Sequence, residues 1–381
     1  MTAPLRVLVV MPLATPLGGG EQMLRQLLRH GRGQGIEWIV TYLRDGPMTE
    51  ETRALGIETH VVDAGRMRDV RKRWRAIRRV ADLARSRKAD LVVGWMVAGQ
   101  LTAGAAAWLA GVPCVWYQVG TPRPDWLDTL ATRLPARGVL VLSKGGAAAQ
   151  ARLRPERRQW LVYPGASLDR FAPGALASPA ELRRKLGLPS QGPLVGMVAR
   201  LQRWKGVHVL VQAMPAILAA HPDAHVVVVG GPHETEPGYG AELAALAASL
   251  GVTRALRLAG FQSNVPEWMQ AMDVVVHASD REPFGIVVIE AMALGKPVVA
   301  GSEGGPSEII TDGVDGLLAP YGDATALASA VNRLLGDAAL AARLGEAARA
   351  RAAAFDDRQY AARVIAVLRE AAGGALTRGN P

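Results

Sequence analysis

A single cysteine, Cys114, leaves this 381-residue chain no internal disulfide to form. It falls in a strand-like segment, so the expectation is a buried core residue in a reducing compartment rather than a catalytic thiol. Aromatic residues make up only 5% of the chain, and no segment reads as a DNA- or RNA-binding module, so nucleic acid is not an expected partner. Apolar residues reach 49%, yet no stretch approaches the roughly 20 uncharged apolar residues of a membrane span. Met1 to Leu5, followed by a strand from Arg6 to Met11, lacks the cationic end, long apolar region and cleavage site of a signal peptide, and the cytoplasm is the expected compartment. Metal-ligand patterns are also missing. There is no Asp-x-Asp, Asp280-Arg281-Glu282 being nearest with a cation in the middle, and the seven histidines show no ligand spacing. Neither a metal nor another cofactor is expected.

Acidic residues are scarce in one half only. Residues 1–170 carry 26 Lys and Arg against 14 Asp and Glu, whereas 171–381 carry 18 against 20, so the first half holds all of the net charge of +10. The densest run, Arg66 to Lys88, has eleven cations and two acids, with Val70, Trp74, Ile77 and Ala81 recurring at helical spacing. Two readings fit it. The stripe is buried in the domain with the cations solvated, or the cations settle the domain on anionic lipid, each contributing about 1 kcal/mol near the surface. Arginine outnumbers lysine 38 to 6, as in GC-rich bacterial genomes.

The length suits two domains of about 150 to 200 residues. Strand-like segments near Arg6 to Met11, Trp38 to Leu43, Glu58 to Val62, Leu91 to Trp95, Cys114 to Val119, Val139 to Ser143 and Trp160 to Tyr163 alternate with helical patterns, which predicts a parallel sheet with helices on both faces. Pro164 to Pro193 is punctuated by proline and glycine and reads as a linker holding one short helix. A second sheet is expected from Leu194 to Ala199, His225 to Val229, Leu256 to Ala259, Val274 to His277 and Val298 to Ala300.

The most informative segment is Glu282-Pro-Phe-Gly-Ile-Val-Val-Ile-Glu290. Pro283 and Gly285 mark a turn, and Ile286 to Leu294 reads as a buried helix ending at Gly295. The amides around Phe284, Gly285 and Ile286 are then unpaired donors at the positive end of that helix, suited to a phosphate. Glu290 lies four residues past Ile286 on the same face, about 6 Å along the axis, where a carboxylate takes both hydroxyls of a ribose. Glu282 points from the preceding loop toward a transferred sugar. The competing reading makes both acids solvated caps, but an acid inside so apolar a run needs a partner. Arg200 and Lys205 follow the strand from Leu194, placing two cations at the carboxyl edge of a parallel sheet, where open α/β sheets bind ligands. Gly18-Gly19-Gly20 follows the first strand, but the third glycine of a dinucleotide fingerprint would fall at Met23, which argues against NAD and for an anion-tolerant loop.

Gly196, Arg200, Lys205-Gly206, the Glu282 to Glu290 motif and Gly304-Gly305-Pro306-Ser307-Glu308 resemble the donor-binding half of the family 4 (GT4) retaining glycosyltransferases. Gly18-Gly19-Gly20-Glu21 resembles that family's amino-terminal glycine loop. The resemblance covers nearly the whole chain and implies a GT-B fold, two Rossmann-like doubly wound α/β domains facing each other across a cleft. Residues 1–170 would bind the acceptor and 171–356 the nucleotide sugar, while 357–381 would cross back to the first domain. It implies transfer of a sugar from a UDP- or GDP-sugar with retained configuration and no metal. Arg200 and Lys205 would hold the diphosphate, Glu290 the ribose and Glu282 the donor sugar, with Gly19 and Gly20 at the donor and base recognition around Phe261 to Val265. Many members carry a histidine after the strand matching Cys114 to Gln118. The stretch Trp116 to Pro124 has none, leaving Gln118, Thr121 or Arg123 to position the acceptor. The acceptor classes implied are a cell-envelope glycan, a glycolipid or a small molecule, with an anionic membrane surface as a further partner. Two alternatives stay open, a nucleotide-sugar epimerase or phosphorylase of similar architecture and a catalytically silent sugar-nucleotide binder.

Overall fold

The computed structural model describes residues 3–16 and 18–373, which form two compact units. Residues 1–165 with 357–381 make the first, and residues 166–356 the second. The division falls at Gly165/Ala166, five residues before the boundary expected from the sequence, because the chain there joins the second unit: Ala166 N donates to Phe355 O at 2.9 Å.

The first unit is built on seven parallel strands, β1 (Leu5–Met11), β2 (Ile36–Tyr42), β3 (Glu58–Val61), β4 (Leu91–Trp95), β5 (Cys114–Tyr117), β6 (Val139–Val141) and β7 (Gln159–Leu161), in the order β3-β2-β1-β4-β5-β6-β7. Helices connect successive strands, as parallel pairing requires. β1 is buried from Val7 to Met11 because both faces are covered, and it reads as an unbroken apolar run rather than an alternating one. The strand order reverses between β1 and β4, which makes a switch point of the kind at whose carboxyl edge open α/β sheets bind ligands.

The helix Asp357–Gly373 belongs to this first unit. Tyr360, Val364, Ile365 and Leu368 are buried on its inner face, and the Tyr117 and Tyr360 hydroxyls meet at 3.1 Å.

The helix Val70–Ser86 corrects one expectation. Ile77 and Ala81 are buried with Ala76, Val80 and Ala84, whereas Val70 is 75% exposed and Trp74 51%. The stripe is real, but its first turn extends past the surface that covers the rest.

The second unit has six parallel strands, β8 (Leu194–Val198), β9 (His225–Val229), β10 (Leu256–Leu258), β11 (Val274–His277), β12 (Val298–Gly301) and β13 (Leu317–Ala319), ordered β10-β9-β8-β11-β12-β13. β13 was not expected from the sequence, being only three residues long and without a repeating pattern. Its core runs through β8, β9, β11 and the helix Val207–Ala220. The switch point here lies between β8 and β11. Among the described residues no helix is long and apolar enough to cross a membrane.

Candidate active site

The loops leaving β8 and β11 flank the switch point of the second unit, and they carry Arg200, Lys205, Glu282 and the helix Ile286–Ala293. Backbone hydrogen bonds tie these loops together. Asp280 N donates to Trp204 O and Gly305 N to Glu282 O, each at 2.7 Å, and Glu282 bridges Gly304 in parallel. Two glycines make such approaches possible. A Cβ on Gly206, whose φ is 74°, would stand 1.9 Å from Ala278 O, and one on Gly305 would stand 2.1 Å from Phe284 Cα. The Gly304-Gly305 pair therefore packs the loop of the β12 edge against the Glu282 loop, a structural duty that the sequence reading did not assign it. Arg281 has a φ of 43°, a left-handed conformation costly for a non-glycine residue, immediately before Glu282.

Lys205 and Glu282 were expected to act separately on diphosphate and sugar. The structure joins them. Lys205 Nζ lies 2.5 Å from Glu282 Oε2, with side chains only 15% and 12% exposed, and the ammonium also sits 3.9 Å above the Trp204 ring. His277 Nε2 approaches the same carboxylate oxygen at 3.4 Å and Ser279 Oγ at 3.3 Å. Burial alone would raise the Glu282 pKa, but the Lys205 charge and His277 outweigh it and hold the carboxyl well below the usual range. Glu282 is therefore an anion at neutral pH. Its Oε1 has no hydrogen-bond partner among the described residues. His277 is buried, and its Nε2 is shared between Ser279 and Glu282.

The Arg200 guanidinium makes no hydrogen bond or ion pair among the described residues and is only partly buried. The helix Ile286–Ala293 starts from Gly285 with φ 105° and no side-chain cap, leaving the Gly285 and Ile286 N–H groups without backbone acceptors. Phe284 is buried and stacks edge-on against Phe355 at 5.9 Å. Glu290 is partly buried, one turn along, with no hydrogen bond to its carboxyl among the described residues. Burial pushes its pKa up to about 7, against the opposing pull of Arg170, a neighbour 120 positions away in the chain. Phe261, after β10, is 66% exposed, and Val265 opens the helix Val265–Ala271.

The expected first-unit residues divide. Gly20 is buried, its carbonyl accepts from the Trp95 indole at 3.0 Å, and a Cβ on it would collide with Met96 and Val119, so close packing explains it; Gly19 is exposed. Met96, which follows β4 at the switch point, holds a φ of 58°. Thr121 and Arg123 are exposed. Gln118 is not available to an acceptor: it is 2% exposed and its Nε2 donates to Asp128 Oδ1 at 2.8 Å. Asp128, which the sequence analysis missed, also accepts from Arg123 N at 3.1 Å and so fixes the loop that presents Thr121 and Arg123. Its one local signal was the spacing Asp125-x-x-Asp128, in which Asp125 caps the helix Trp126–Arg133. Burial pushes the Cys114 thiol up to about 12, fitting a core residue. Among the described residues no group of three or more His, Cys, Asp or Glu is placed to hold a metal ion.

Two Rossmann-like domains, each with a parallel sheet and a switch point in its strand order, define a GT-B protein. Residues 17–170 match the family model described as Glycosyltransferase Family 4, and residues 179–351 that described as Glycosyl transferases group 1. The chain belongs to the GT4 glycosyltransferases. Similar curated proteins include the D-inositol 3-phosphate glycosyltransferase of Corynebacterium urealyticum, 40% identical over 187 residues, 46% of this chain and 43% of that protein. That of Salinispora arenicola is 39% identical over 204 residues, 51% of this chain and 46% of the relative. The matched stretch thus spans a little under half the length of these relatives. Among solved structures, Anabaena HepE in complex with UDP is 25% identical with a TM-score of 0.84, covering 96% of this chain and all of that one. HepE has also been solved with UDP-glucose.

Proposed function

We propose that the protein transfers a sugar from a nucleoside-diphosphate sugar to an acceptor hydroxyl with retention of configuration and without a metal. The observation that carries this is the cluster at the β8/β11 switch point. It sets an unpartnered Arg200, the Lys205–Glu282 pair, the open N–H groups of Gly285 and Ile286, and Glu290 within one set of cross-linked loops. The HepE complexes with UDP and UDP-glucose support this ligand class.

Breaking the bond from the anomeric carbon to the diphosphate puts negative charge on the leaving oxygen. Arg200, Lys205 and the two N–H groups are donors fixed in advance for that charge. Lys205 has three donors and uses one on Glu282, which aims the ammonium while leaving the others for phosphate. Glu282, held ionised, cannot act as a general acid. Its free oxygen accepts from hydroxyls of the donor sugar. Glu290 accepts from the ribose diol, and Phe261 offers its exposed ring to the base. The leaving phosphate takes the acceptor proton, so no protein base is required. Thr121 and Arg123 serve the acceptor side.

The acceptor is a cell-envelope lipid or polysaccharide intermediate, or a small polyol phosphate of the kind named for the curated relatives. The basic helix Val70–Ser86 meets anionic lipid through Val70 and Trp74, whose exposure amid Arg71, Lys72 and Arg75 suits an interface better than bulk water. Incubation with UDP- and GDP-sugars and an acceptor panel, with the product's anomeric configuration read by NMR, tests the reading. A retained configuration without added metal is expected. Inversion, or a strict magnesium requirement, overturns it. A second reading, donor binding without transfer, is favoured by the absence of a histidine between Trp116 and Pro124, and tight UDP binding with no product from any acceptor would select it.

A further inference from the structure

The strand β11 reads Val274-Val275-Val276-His277, three buried valines closed by a histidine that is only 4% exposed. A fourth valine would fill such a place without cost, whereas a buried polar ring destabilises the fold unless it is hydrogen-bonded. One edge of the ring goes unused, since Nδ1 is buried with no partner among the described residues. The other edge is turned toward the loop that follows the strand. Nε2 lies 3.3 Å from Ser279 Oγ and 3.4 Å from Glu282 Oε2.

The charge facing Nε2 decides where the hydrogen sits. Glu282 is an anion, so a bare nitrogen lone pair 3.4 Å from its oxygen would be repelled, while an Nε2–H is attracted. Ser279 is no obstacle, because its hydroxyl oxygen can accept from the same N–H. Glu282 Oε2 then has two donors, Lys205 Nζ at 2.5 Å and His277 Nε2, and Oε1 has none among the described residues. The two donors differ in kind. The ammonium is a point charge on a flexible four-carbon stem and does not fix the plane of a carboxylate. The imidazole stands at the end of a strand paired with β8 on one side and β12 on the other. Glu282 itself lies in a loop, directly after the left-handed backbone of Arg281. A side chain on a loop is held most accurately by one on a rigid element. Lys205 has a further duty, since charge building on the leaving phosphate draws its ammonium away from Glu282. Oε2 then keeps a donor only through His277.

We propose that His277 is a positioning residue of the sugar-transfer site, whose Nε2–H holds Glu282 Oε2 so that Oε1 stays free for the donor sugar while Lys205 serves the diphosphate. The inference rests on the sugar-transfer reading above. In this role His277 acts through Glu282 and needs no contact with substrate.

The test compares His277→Phe, His277→Asn and His277→Gln with the wild type in steady-state sugar transfer, with UDP titration and thermal melts in parallel. Phenylalanine keeps the ring's shape without a donor, asparagine carries its amide near the Nδ1 position, and glutamine carries its amide near the Nε2 position. The expected result is a kcat about tenfold or more lower in the phenylalanine and asparagine variants and largely recovered in the glutamine variant. UDP affinity should stay at the wild-type value in all three, because UDP has no sugar for Glu282 to hold. Equal turnover in all four proteins overturns the proposal, and so does a glutamine variant as slow as the other two, which would leave His277 a packing role alone. A second readout needs neither catalysis nor a stable variant: the nitrogen-15 spectrum of the wild-type imidazole should show a hydrogen on Nε2, and a hydrogen confined to Nδ1 overturns the proposal. Absence of transfer by the wild type with every donor would sink the sugar-transfer reading instead, while the nitrogen-15 spectrum still decides whether His277 holds Glu282.

Discussion

Glu290 carries the clearest pH signature in the protein. Its carboxyl ionises near 7 in the fold against 4.5 in an unfolded chain. Between those values the folded state holds more protons than the unfolded one, so this residue's contribution to stability falls as pH rises from about 4.5 to about 7 and is flat above. The cost at pH 8 is on the order of 3 kcal/mol. Glu290→Gln should therefore raise Tm at pH 8 and leave it nearly unchanged at pH 4.5, while weakening UDP, because an amide offers one acceptor oxygen where the carboxylate offers two. Thermal melts at the two pH values check it, and an equal shift at both would contradict it. Glu282 works in the opposite direction. Held below its usual range, it contributes fully above its unfolded value of 4.5, and that contribution is lost as pH falls. Lys205→Met strands its charge in a buried setting and should cost about 3 kcal/mol or more, with turnover down roughly 10² or more. Adding Glu282→Gln should restore much of the stability but not the turnover, as denaturation and kinetics of the pair would show. At this scale the sequence disclosed which residues matter but not their pairing. Seventy-seven positions separate Lys205 from Glu282, and only the parallel pairing of β8 with β11 brings them together. Gln118 misled for a related reason: its partner Asp128 lies on a helix that a reading of the β5 strand alone does not include.

Elements set how firmly those residues are held. The helix Ile286–Ala293 is positioned by the Gly304-Gly305 contact, and Gly305→Ala forces a Cβ to within 2.1 Å of Phe284 Cα. Overpacking of this kind costs about 1–3 kcal/mol. We expect that loss in urea denaturation together with weakened UDP binding, since the N–H groups of Gly285 and Ile286 must shift. Unaltered UDP affinity would mean that the contact is not what aims the helix. The motif's helix was legible because a turn, an apolar run and a terminal glycine agree with one another. The glycine pair was legible only as part of the donor-binding resemblance and not as a packing contact, since close approach depends on what lies opposite. The helix Val70–Ser86 shows the same limit: periodicity found the stripe, but where its cover ends depends on the neighbouring surface. Trp74→Glu should leave stability within about 0.5 kcal/mol of wild type and reduce co-sedimentation with anionic vesicles, whereas undiminished sedimentation would remove the lipid reading of this helix.

At the scale of the molecule, the alternation of strands and helices made two parallel sheets legible, and twelve of the thirteen strands among the described residues fall where strand-like segments were read. The short β13 escaped because three residues carry no period. The helix Asp357–Gly373 belongs to the first unit although it follows the second in sequence. Leu368 is 1% exposed there, and Leu368→Ala should cost about 2–5 kcal/mol in the first unit while leaving UDP affinity in the second intact. Calorimetric scans with and without UDP would separate the two units, and a loss of nucleotide binding in that variant would contradict the division.

The central claim is a nucleotide-sugar site at the β8/β11 switch point, and isothermal titration with UDP, GDP, ADP and TDP, with and without magnesium, against wild type and Glu290→Ala, tests it most directly. The account predicts tight binding of one nucleotide without metal and its loss in the variant. Binding of none of them, or binding that Glu290→Ala leaves unchanged, would contradict it.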